Sequence, residues 1–300
     1  MKNFFKIFIF IFFLFIILLA YDNSDKLYLF YRDNILKVKD DITIEKNLYY
    51  KNKDYLYIQN TDDFITKTKY QTLNILYTII NSGASSFTFY CDNEYNKCID
   101  DLKEILNDEN ILSSINNYVH PYNSFEVINA SYDNMGKITI DIIKSYNENE
   151  INLIENKVNE IIEQNINYDM DKKEKIKIIH DYIINNANYD VTLENKKHSK
   201  ADDVLIQKRG ICSSYTDAMA IFLEKFDINN YKIASTNHVW NLVYIDNTWL
   251  HLDLTWDDPV SEDNEDILDD KYFLISTDKL LTLDKSDSHH FNKNLYLETK

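Results

Sequence analysis

Hydrophobic residues recur at helical and at strand spacing along the chain, which predicts a mixed α+β protein. Apolar positions within residues 66–81 repeat every three or four residues, and Gly83 follows them as a helix end. Residues 86–90 alternate as a half-buried strand does, and two strand-like runs between residues 126 and 144 predict a hairpin. We therefore expect residues 22–150 to form an N-terminal α+β domain, whose role the pattern does not indicate.

The second half of the chain begins with two amphipathic helices and ends in a β-rich segment. Residues 151–166 and 171–186 each carry one apolar face. A polar loop at 190–200 then separates these helices from the segment that carries the candidate chemistry. We expect residues 151–300 to form a second domain, with its core in residues 170–280.

The first twenty residues combine a basic start with an unbroken apolar run from Ile7 to Ala20. This pattern is typical of a secretory signal peptide, because a helical run of this length reaches only roughly 21 Å, short of a hydrocarbon core of about 30 Å. Leu18 does not suit a cleavage site, so an uncleaved N-terminal anchor is the alternative. Both interpretations predict an extracellular or cell-surface protein, with membrane contact only through residues 7–20 if they stay attached.

A polar lead-in covers residues 22–63. Within it, the alternation from Asp41 to Glu45 predicts a short strand.

The net charge of −17 narrows the classes of partner. The electrostatic field of this negative charge repels nucleic acid and anionic membrane surfaces, so we expect no nucleic-acid partner. Its ordinary role is solubility, and attraction of a basic substrate is the alternative. The chain has no glycine-rich phosphate loop, which argues against nucleotide chemistry, and we expect no cofactor.

The three cysteines divide into a pair and a single residue. Cys91 and Cys98 are seven positions apart and can close a small disulfide loop outside the cell, although the sequence leaves their pairing open. Cys212 stands alone. A free thiol outside the cell is a liability unless it is buried or used in chemistry.

Cys212 lies at the predicted start of a helix. Residues 215–223 follow helical spacing, and Gly210 precedes the thiol where the chain must turn. The positive end of the helix dipole and the free backbone N–H groups stabilise a thiolate and a developing oxyanion. This position favours a nucleophile over the alternative, a buried structural thiol.

A predicted hairpin downstream brings a histidine and an aspartate together. Asp246-Asn247 is a good two-residue turn between two β-rich flanks. The register of this turn places His238 and Asp253 on one sheet face as a diagonal pair, whereas a slip of one residue would separate them. A thiol, an imidazole and a carboxylate are the nucleophile, base and ring-orienting acid that acyl transfer requires.

Three segments resemble the motifs of the transglutaminase-like superfamily. In chain order they are Arg-Gly-Ile-Cys212-x-x-Tyr215, Asn-His238-Val-Trp-Asn241 and Trp-x-His-x-Asp253-x-Thr-Trp-Asp-Asp-Pro259. Two flanking segments resemble a helix before and a strand after these motifs, Ile-His180-Asp-Tyr-Ile with Tyr189-Asp190 and Tyr272-Phe-Leu-Ile-Ser276. The pair Ser213-Ser214 departs from the glycine that many relatives carry before the tyrosine.

The resemblance covers residues 170–280 and implies a papain-like α+β fold in an exported bacterial protein. It implies a catalytic triad of Cys212, His238 and Asp253 that performs acyl transfer. Residues 22–150 match no family of known function.

Other residues near the proposed triad have both functional and structural interpretations. Candidates for lining the substrate groove or supporting the triad are Tyr215, Trp240, Asn241 and Trp256, with packing as the alternative for the two tryptophans. His251 shares the sheet face of Asp253 and is the rival base, although packing is its simpler role.

The remaining histidines have no assigned chemistry. His180 is predicted to be structural, His198 to be a loop residue, and His289 and His290 to lie on the surface. The spacing of the cysteine, histidine and aspartate matches no zinc motif, so we expect no metal.

Two classes of function follow from these predictions. The first is an exported thiol acyl-transfer enzyme that acts on peptide or amide bonds of a peptide or protein substrate, either as a cysteine protease or amidase or in Gln-Lys crosslinking. The triad does not distinguish hydrolysis from crosslinking. The second is a non-catalytic cell-surface binding or scaffold module that retains the fold, against which an intact triad argues.

Overall fold

The structure is a computed structural model of the 300-residue chain. It describes residues 2–35, 42–133, 135–167, 169–192, 199–258, 269–284, 286 and 288–300. Of the described residues, 46% lie in helices and 18% in strands, so the fold is α+β, as predicted. The helices are α1 (Lys2–Asp22), α2 (Ser24–Asn34), α3 (Lys69–Ser82), α4 (Cys98–Asn107), α5 (Glu109–Tyr118), α6 (Glu148–Asn165), α7 (Lys172–Asn186), α8 (Ala201–Leu205), α9 (Cys212–Lys225) and α10 (Thr277–Leu283), with 3-10 turns at Pro121–Asn123 and Leu297–Thr299.

The strands form three sheets. They are β1 (Ile65–Thr66), β2 (Ser86–Cys91), β3 (Phe125–Tyr132), β4 (Lys137–Lys144), β5 (Asn188–Tyr189), β6 (Arg209–Gly210), β7 (Asn230–Ala234), β8 (Val239–Ile245) and β9 (Thr248–Leu252). The sheet orders are β1-β2-β4-β3, β5-β6 and β7-β8-β9. In the first sheet β3 and β4 form the predicted antiparallel hairpin, while β5 and β6 are parallel.

The helix predicted within residues 66–81 is α3, and its ends have clear local causes. The Thr68 side chain accepts a hydrogen bond from the Gln71 N–H, which satisfies one free donor of the first turn. At the other end Gly83 adopts a φ of 77°, the left-handed conformation that glycine accepts without strain. This part of the prediction is confirmed.

Two strand predictions are wrong. Residues 42–45 have no regular secondary structure, because Ile42 and Ile44 pack against the core without a neighbouring strand to pair with. The segment 272–276 makes only one isolated bridge, between Ile275 and His251. Apolar alternation therefore marked burial in both places rather than strand pairing.

A disulfide joins Cys91, the last residue of β2, to Cys98, the first residue of α4. The pairing that the sequence left open is thus present in the structure. It fixes the connection between the N-terminal sheet and the helix that follows it.

Buried side chains form two hydrophobic clusters. The first includes Tyr55 and Tyr118 from the N-terminal part, the described residues before 150, together with Tyr231 and Trp240 from the third sheet. The second packs α6, α7, α8 and α9 against β8. The predicted domain boundary near residue 150 stays a prediction, since the first cluster contains residues from both sides of it.

Helix α1 contains the apolar run at the start of the chain, and the side chains of residues 9–19 are exposed. Within the described ranges, none of the helices combines the length and the apolar content that crossing a membrane requires.

Candidate active site

Cys212 is the first residue of α9, as predicted, and its thiol takes part in no disulfide. The chain enters the helix through β6, and Gly210 is needed there for reasons of space. A Cβ at this position would lie 2.7 Å from both the Ser214 Cβ and a Val204 methyl carbon. The glycine therefore lets α8 and the first turn of α9 approach closely, which holds the thiol at the helix start.

The hairpin of β8 and β9 has the register that its turn predicts. Ile245 pairs with Thr248 and Asn241 pairs with Leu252. Asp246 and Asn247 have φ values of 51° and 61°, as a two-residue turn of this kind requires. The register prediction is confirmed, and it places the residues before β8 beside those after β9.

His238 and Asp253 meet at this end of the hairpin. The His238 Nε2 lies 2.6 Å from the Asp253 Oδ2, and both residues are buried. The other carboxylate oxygen, Oδ1, accepts hydrogen bonds from the backbone N–H groups of Thr255 (3.0 Å) and Trp256 (3.3 Å). Because the backbone holds one oxygen, the second oxygen is fixed in direction toward the imidazole.

Electrostatics favour the charged forms of this pair. Burial lowers the pKa of His238, but the charge and hydrogen bond of Asp253, together with a hydrogen bond to Cys212, raise it to about 10. Burial also raises the pKa of Asp253, yet His238 lowers it well below its usual range. Since Nε2 is bonded to Asp253, Nδ1 is the ring nitrogen left for the Cys212 sulfur.

Tyr189 completes the surroundings of the thiol, although its motif alone assigned it no role. Its hydroxyl lies near the backbone N–H of Cys212. Burial, and then the charge of Cys212, raise the pKa of this half-buried phenol. The parallel pairing of Tyr189 with Gly210 brings the tyrosine close to Cys212, which lies two residues after the glycine. Strands of two residues are too short to show this pairing as a sequence pattern.

A cavity of about 350 Å³ opens beside the imidazole. Its lining includes Tyr189, Asn237, His238, Thr255, Trp256 and Asp258. Trp256 therefore lies where a groove-lining residue was predicted.

The other three groove candidates lie behind the site. Asn241 donates to the Thr216 carbonyl (3.0 Å), which ties β8 to the nucleophile helix. The Tyr215 hydroxyl donates to Asp258 (2.6 Å). Trp240 is buried and stacks on the His238 ring with centroids 5.5 Å apart. Their contacts position the site.

His251 does not occupy the base position. Its Nδ1 accepts a hydrogen bond from the Trp240 indole (2.9 Å), and its Nε2 lies 3.0 Å from the Thr277 hydroxyl. Burial, followed by the nearby charge of His289, lowers its pKa to about 3. A neutral, fully bonded imidazole behind Trp240 has a packing role.

The prediction for His289 is wrong: this residue is fully buried. Its Nε2 lies 2.8 Å from the Asp253 Oδ2, and its Nδ1 lies 2.8 Å from the Asp284 Oδ2. The physical reason is a tertiary contact across 36 residues, which a polar local sequence does not reveal. The neighbouring His290 is exposed, as predicted.

His180 is buried between Asp181 (2.8 Å) and Asp257 (3.2 Å), in keeping with its structural interpretation. His198 and Pro259 lie outside the described residues.

His238, Asp253 and His289 place three potential ligand atoms within 4.8 Å of one another. Each of these atoms takes part in the ring-to-carboxylate hydrogen bonds given above. The hydrogen bonds account for this geometry, so it does not require an ion.

The chain was compared with curated proteins, with solved structures and with family models. A search of curated proteins finds no match. Among solved structures, one described as "Crystal structure of a TGase" is 14% identical, with a TM-score of 0.35 and coverage of 46% of each chain. Another, described as "a Putative Cysteine Protease from Cytophaga hutchinsonii", is 13% identical, with a TM-score of 0.28 and coverage of 43% of this chain. The chain thus spans 46% of the first structure and 61% of the second.

The model of the transglutaminase-like superfamily matches residues 160–254, the segment that contains the thiol, the imidazole and the carboxylate. This match supports a cysteine-type enzyme in general. Residues 160–254 of this chain therefore form a domain of the transglutaminase-like superfamily.

Proposed function

We propose that the chain is a thiol acyl-transfer enzyme that acts on peptide or amide bonds. In this proposal Cys212 is the nucleophile, His238 the general base and acid, and Asp253 the group that orients the imidazole. The 2.6 Å contact between His238 and Asp253, beside the N-terminus of the Cys212 helix, is the observation that carries the proposal.

The reaction follows from these positions. The Cys212 thiolate attacks the carbonyl carbon of an amide, a C–S bond forms, and the resulting tetrahedral oxyanion collapses with cleavage of the C–N bond. His238, held as an imidazolium, gives its proton to the leaving amine. Water or a second amine then attacks the thioester, passes a proton to His238 and releases the sulfur.

The developing oxyanion has two candidate donors. The Cys212 backbone N–H is a free donor of the first turn of α9 and lies near the Tyr189 hydroxyl. A substrate oxyanion that takes this N–H would also come within reach of the Tyr189 O–H. Donors fixed before the reaction contribute most where charge develops.

The surroundings favour a peptide or protein as substrate. The cavity beside His238 is open and combines aromatic and polar walls, as a groove for an extended chain requires. A second cavity of about 290 Å³ is lined by Ser213 and Val239, the neighbours of the nucleophile and the base, and by Asn117 of the N-terminal part. We infer that the N-terminal part contributes to substrate recognition.

Export is part of the proposal. The apolar run at the start of the chain has the length of a secretory signal, and the disulfide between Cys91 and Cys98 is typical of oxidising compartments. We propose an extracellular or cell-surface location.

Alkylation of the thiol tests the proposal against a non-catalytic scaffold. The purified chain is treated with iodoacetamide near neutral pH, and the labelled cysteine is identified by peptide mapping. Rapid labelling of Cys212 that is lost in His238→Ala but kept in His290→Ala, an exposed control, supports the enzyme. Sluggish labelling that neither substitution changes would favour the scaffold.

A second assay separates the two reactions of the acyl-enzyme. The chain is incubated with casein and a fluorescent primary amine. Fluorescent casein of unchanged or greater mass indicates crosslinking chemistry, whereas shorter peptides indicate hydrolysis.

A further inference from the structure

The proposed triad does not end at Asp253. Behind it, His289 bridges two buried carboxylates, with Nε2 at 2.8 Å from Asp253 and Nδ1 at 2.8 Å from Asp284. The His289 ring is 0% exposed and the Asp284 side chain 3% exposed, so water does not compete for these contacts. A line of hydrogen bonds therefore runs from His238 through Asp253 and His289 to Asp284.

Both carboxylates have every acceptor position occupied by a donor. Asp253 accepts two backbone N–H groups on Oδ1 and two imidazole rings on Oδ2. Asp284 accepts the backbone N–H and hydroxyl of Ser286 on Oδ1, and the backbone N–H and ring of His289 on Oδ2. Burial raises the pKa of Asp284, but these hydrogen bonds lower it well below its usual range. Neither carboxylate therefore has an acceptor position left at which it could bind a proton.

The two carboxylates that His289 contacts determine where its hydrogens lie. An ionised carboxylate only accepts, so a ring nitrogen that faces one must carry the hydrogen. Each nitrogen of His289 faces a carboxylate oxygen, and a ring that donates to both carboxylates carries hydrogen on both nitrogens, as an imidazolium does. This ring lies behind Asp253, with its centroid 5.3 Å from that of His238.

Other titratable groups also face this ring, and none of those described supplies a competing negative charge at neutral pH. His251 lies beyond Trp240 and is held neutral, and Tyr272 stacks on His289 with its pKa raised, first by burial and then by nearby carboxylates. Among the described residues, the carboxylates hydrogen-bonded to His289 are Asp253 and Asp284, and the His238 ring lies beside it; Asp257 and Asp269 act on Tyr272.

We propose that His289, anchored by Asp284, is a positioning residue that aligns Asp253 and offsets part of its negative charge, and thereby sets the pH range in which Cys212 and His238 form their ion pair. This inference rests on the proposed function. Asp253 alone would favour protons on both the imidazole and the thiol. The positive charge behind it weakens this preference, so the thiolate forms at lower pH.

The His289→Gln variant separates the effect of the proposed charge on His289 from the effect of the size of its side chain. A glutamine can keep a donor near the position of Nε2 while it removes the positive charge and the contact to Asp284. Loss of one unit charge at about 5 Å in a medium of effective dielectric about 20 corresponds to roughly two pH units. We expect the pH profile of Cys212 alkylation to move to higher pH by this amount, with at least about tenfold slower labelling at pH 6. His290→Gln, a substitution of the exposed neighbour, should leave the profile unchanged.

The double variant Asp284→Asn/His289→Gln tests the sign of the charge effect. It removes a negative and a positive charge together, so we expect its profile to return part of the way toward that of the unsubstituted chain. A folded His289→Gln chain whose profile overlaps the unsubstituted one would overturn the proposal, as would a double variant shifted further than the single one.

Nitrogen NMR of the imidazole rings in the unsubstituted chain gives a readout that needs no variant. At the pH of fastest labelling, we expect hydrogen on both ring nitrogens of His289, and a single ring N–H would refute the inference. If the unsubstituted chain shows no enhanced labelling of Cys212, the proposed function fails. If enhanced labelling is present and insensitive to His289, only this inference fails.

Discussion

Replacing Asp253 with asparagine keeps the size of the side chain and removes the charge that orients His238. The oxygen of the new amide would still accept the two backbone N–H groups, because Oδ1 is held by them in the structure. The amide NH₂ would then face the ring nitrogen that now bonds to Oδ2. His238 would have to accept at Nε2, which places its hydrogen on Nδ1, the atom that must take the thiol proton.

The magnitude follows from the pKa of His238. A rise from the ordinary 6.5 to about 10 corresponds to at most about 5 kcal/mol of preference for the charged ring. Asp253 supplies the largest favourable part of it, and Cys212 shares the rest. Without the carboxylate, burial lowers the pKa of the ring and only Cys212 opposes it. The comparable substitution in a Ser-His-Asp triad costs about 10⁴-fold in kcat.

The assay is the second-order rate of Cys212 alkylation by iodoacetamide between pH 5 and pH 10. We expect at least about 100-fold slower labelling of Asp253→Asn at pH 6, with recovery only where an ordinary thiol ionises, near pH 8.5. Asp246→Asn is the matched control, since asparagine also suits the positive φ of that turn. A folded Asp253→Asn chain labelled within about threefold of the unsubstituted rate across this range would refute the assigned role of the carboxylate.

Three further predictions follow from other contacts. Tyr189→Phe removes one candidate oxyanion donor and should lower kcat for peptide cleavage or amine transfer about 100-fold with little change in KM; an unchanged kcat would exclude the tyrosine from this role. Substituting both Cys91 and Cys98 with serine opens a loop of about eight residues and should lower the free energy of unfolding in urea by about 2.5 kcal/mol, while Cys212 labelling stays the same. Because the pKa of His238 is raised in the folded state, its contribution to the free energy of unfolding should be complete below pH 6.5 and should be lost as the pH rises toward 10. The His238→Gln variant should therefore show a smaller fall in Tm between pH 7 and pH 10 than the unsubstituted chain.

The parts of the site that the sequence predicts are those with local causes. Asp246 and Asn247 accept positive φ, and that single property determines the register which places His238 beside Asp253. The start of α9 at Cys212 follows from helical spacing and from the preceding glycine. Both the hairpin register and the helix start are determined by residues that are close together in the chain, so the local sequence is enough to predict them.

The residues that the sequence does not assign correctly depend on contacts between distant segments. Tyr189 reaches the thiol through a two-residue parallel pairing, and His289 reaches Asp253 from a polar stretch after α10. A histidine next to another histidine in a polar stretch looks exposed, because nothing local indicates that one ring is surrounded by Trp240, Trp256 and Tyr272.

This division between local and distant causes has a chemical counterpart. The hairpin and the helix bring together a thiol, a ring and an acid, but a buried carboxylate with one imidazole partner retains a strong demand for protons. The segment after α10 supplies a second imidazole partner for this carboxylate, His289, which is itself held by Asp284. Local patterns thus predict the groups that we propose to react, whereas the buried contacts around them depend on the packing of the segment after α10 against the hairpin.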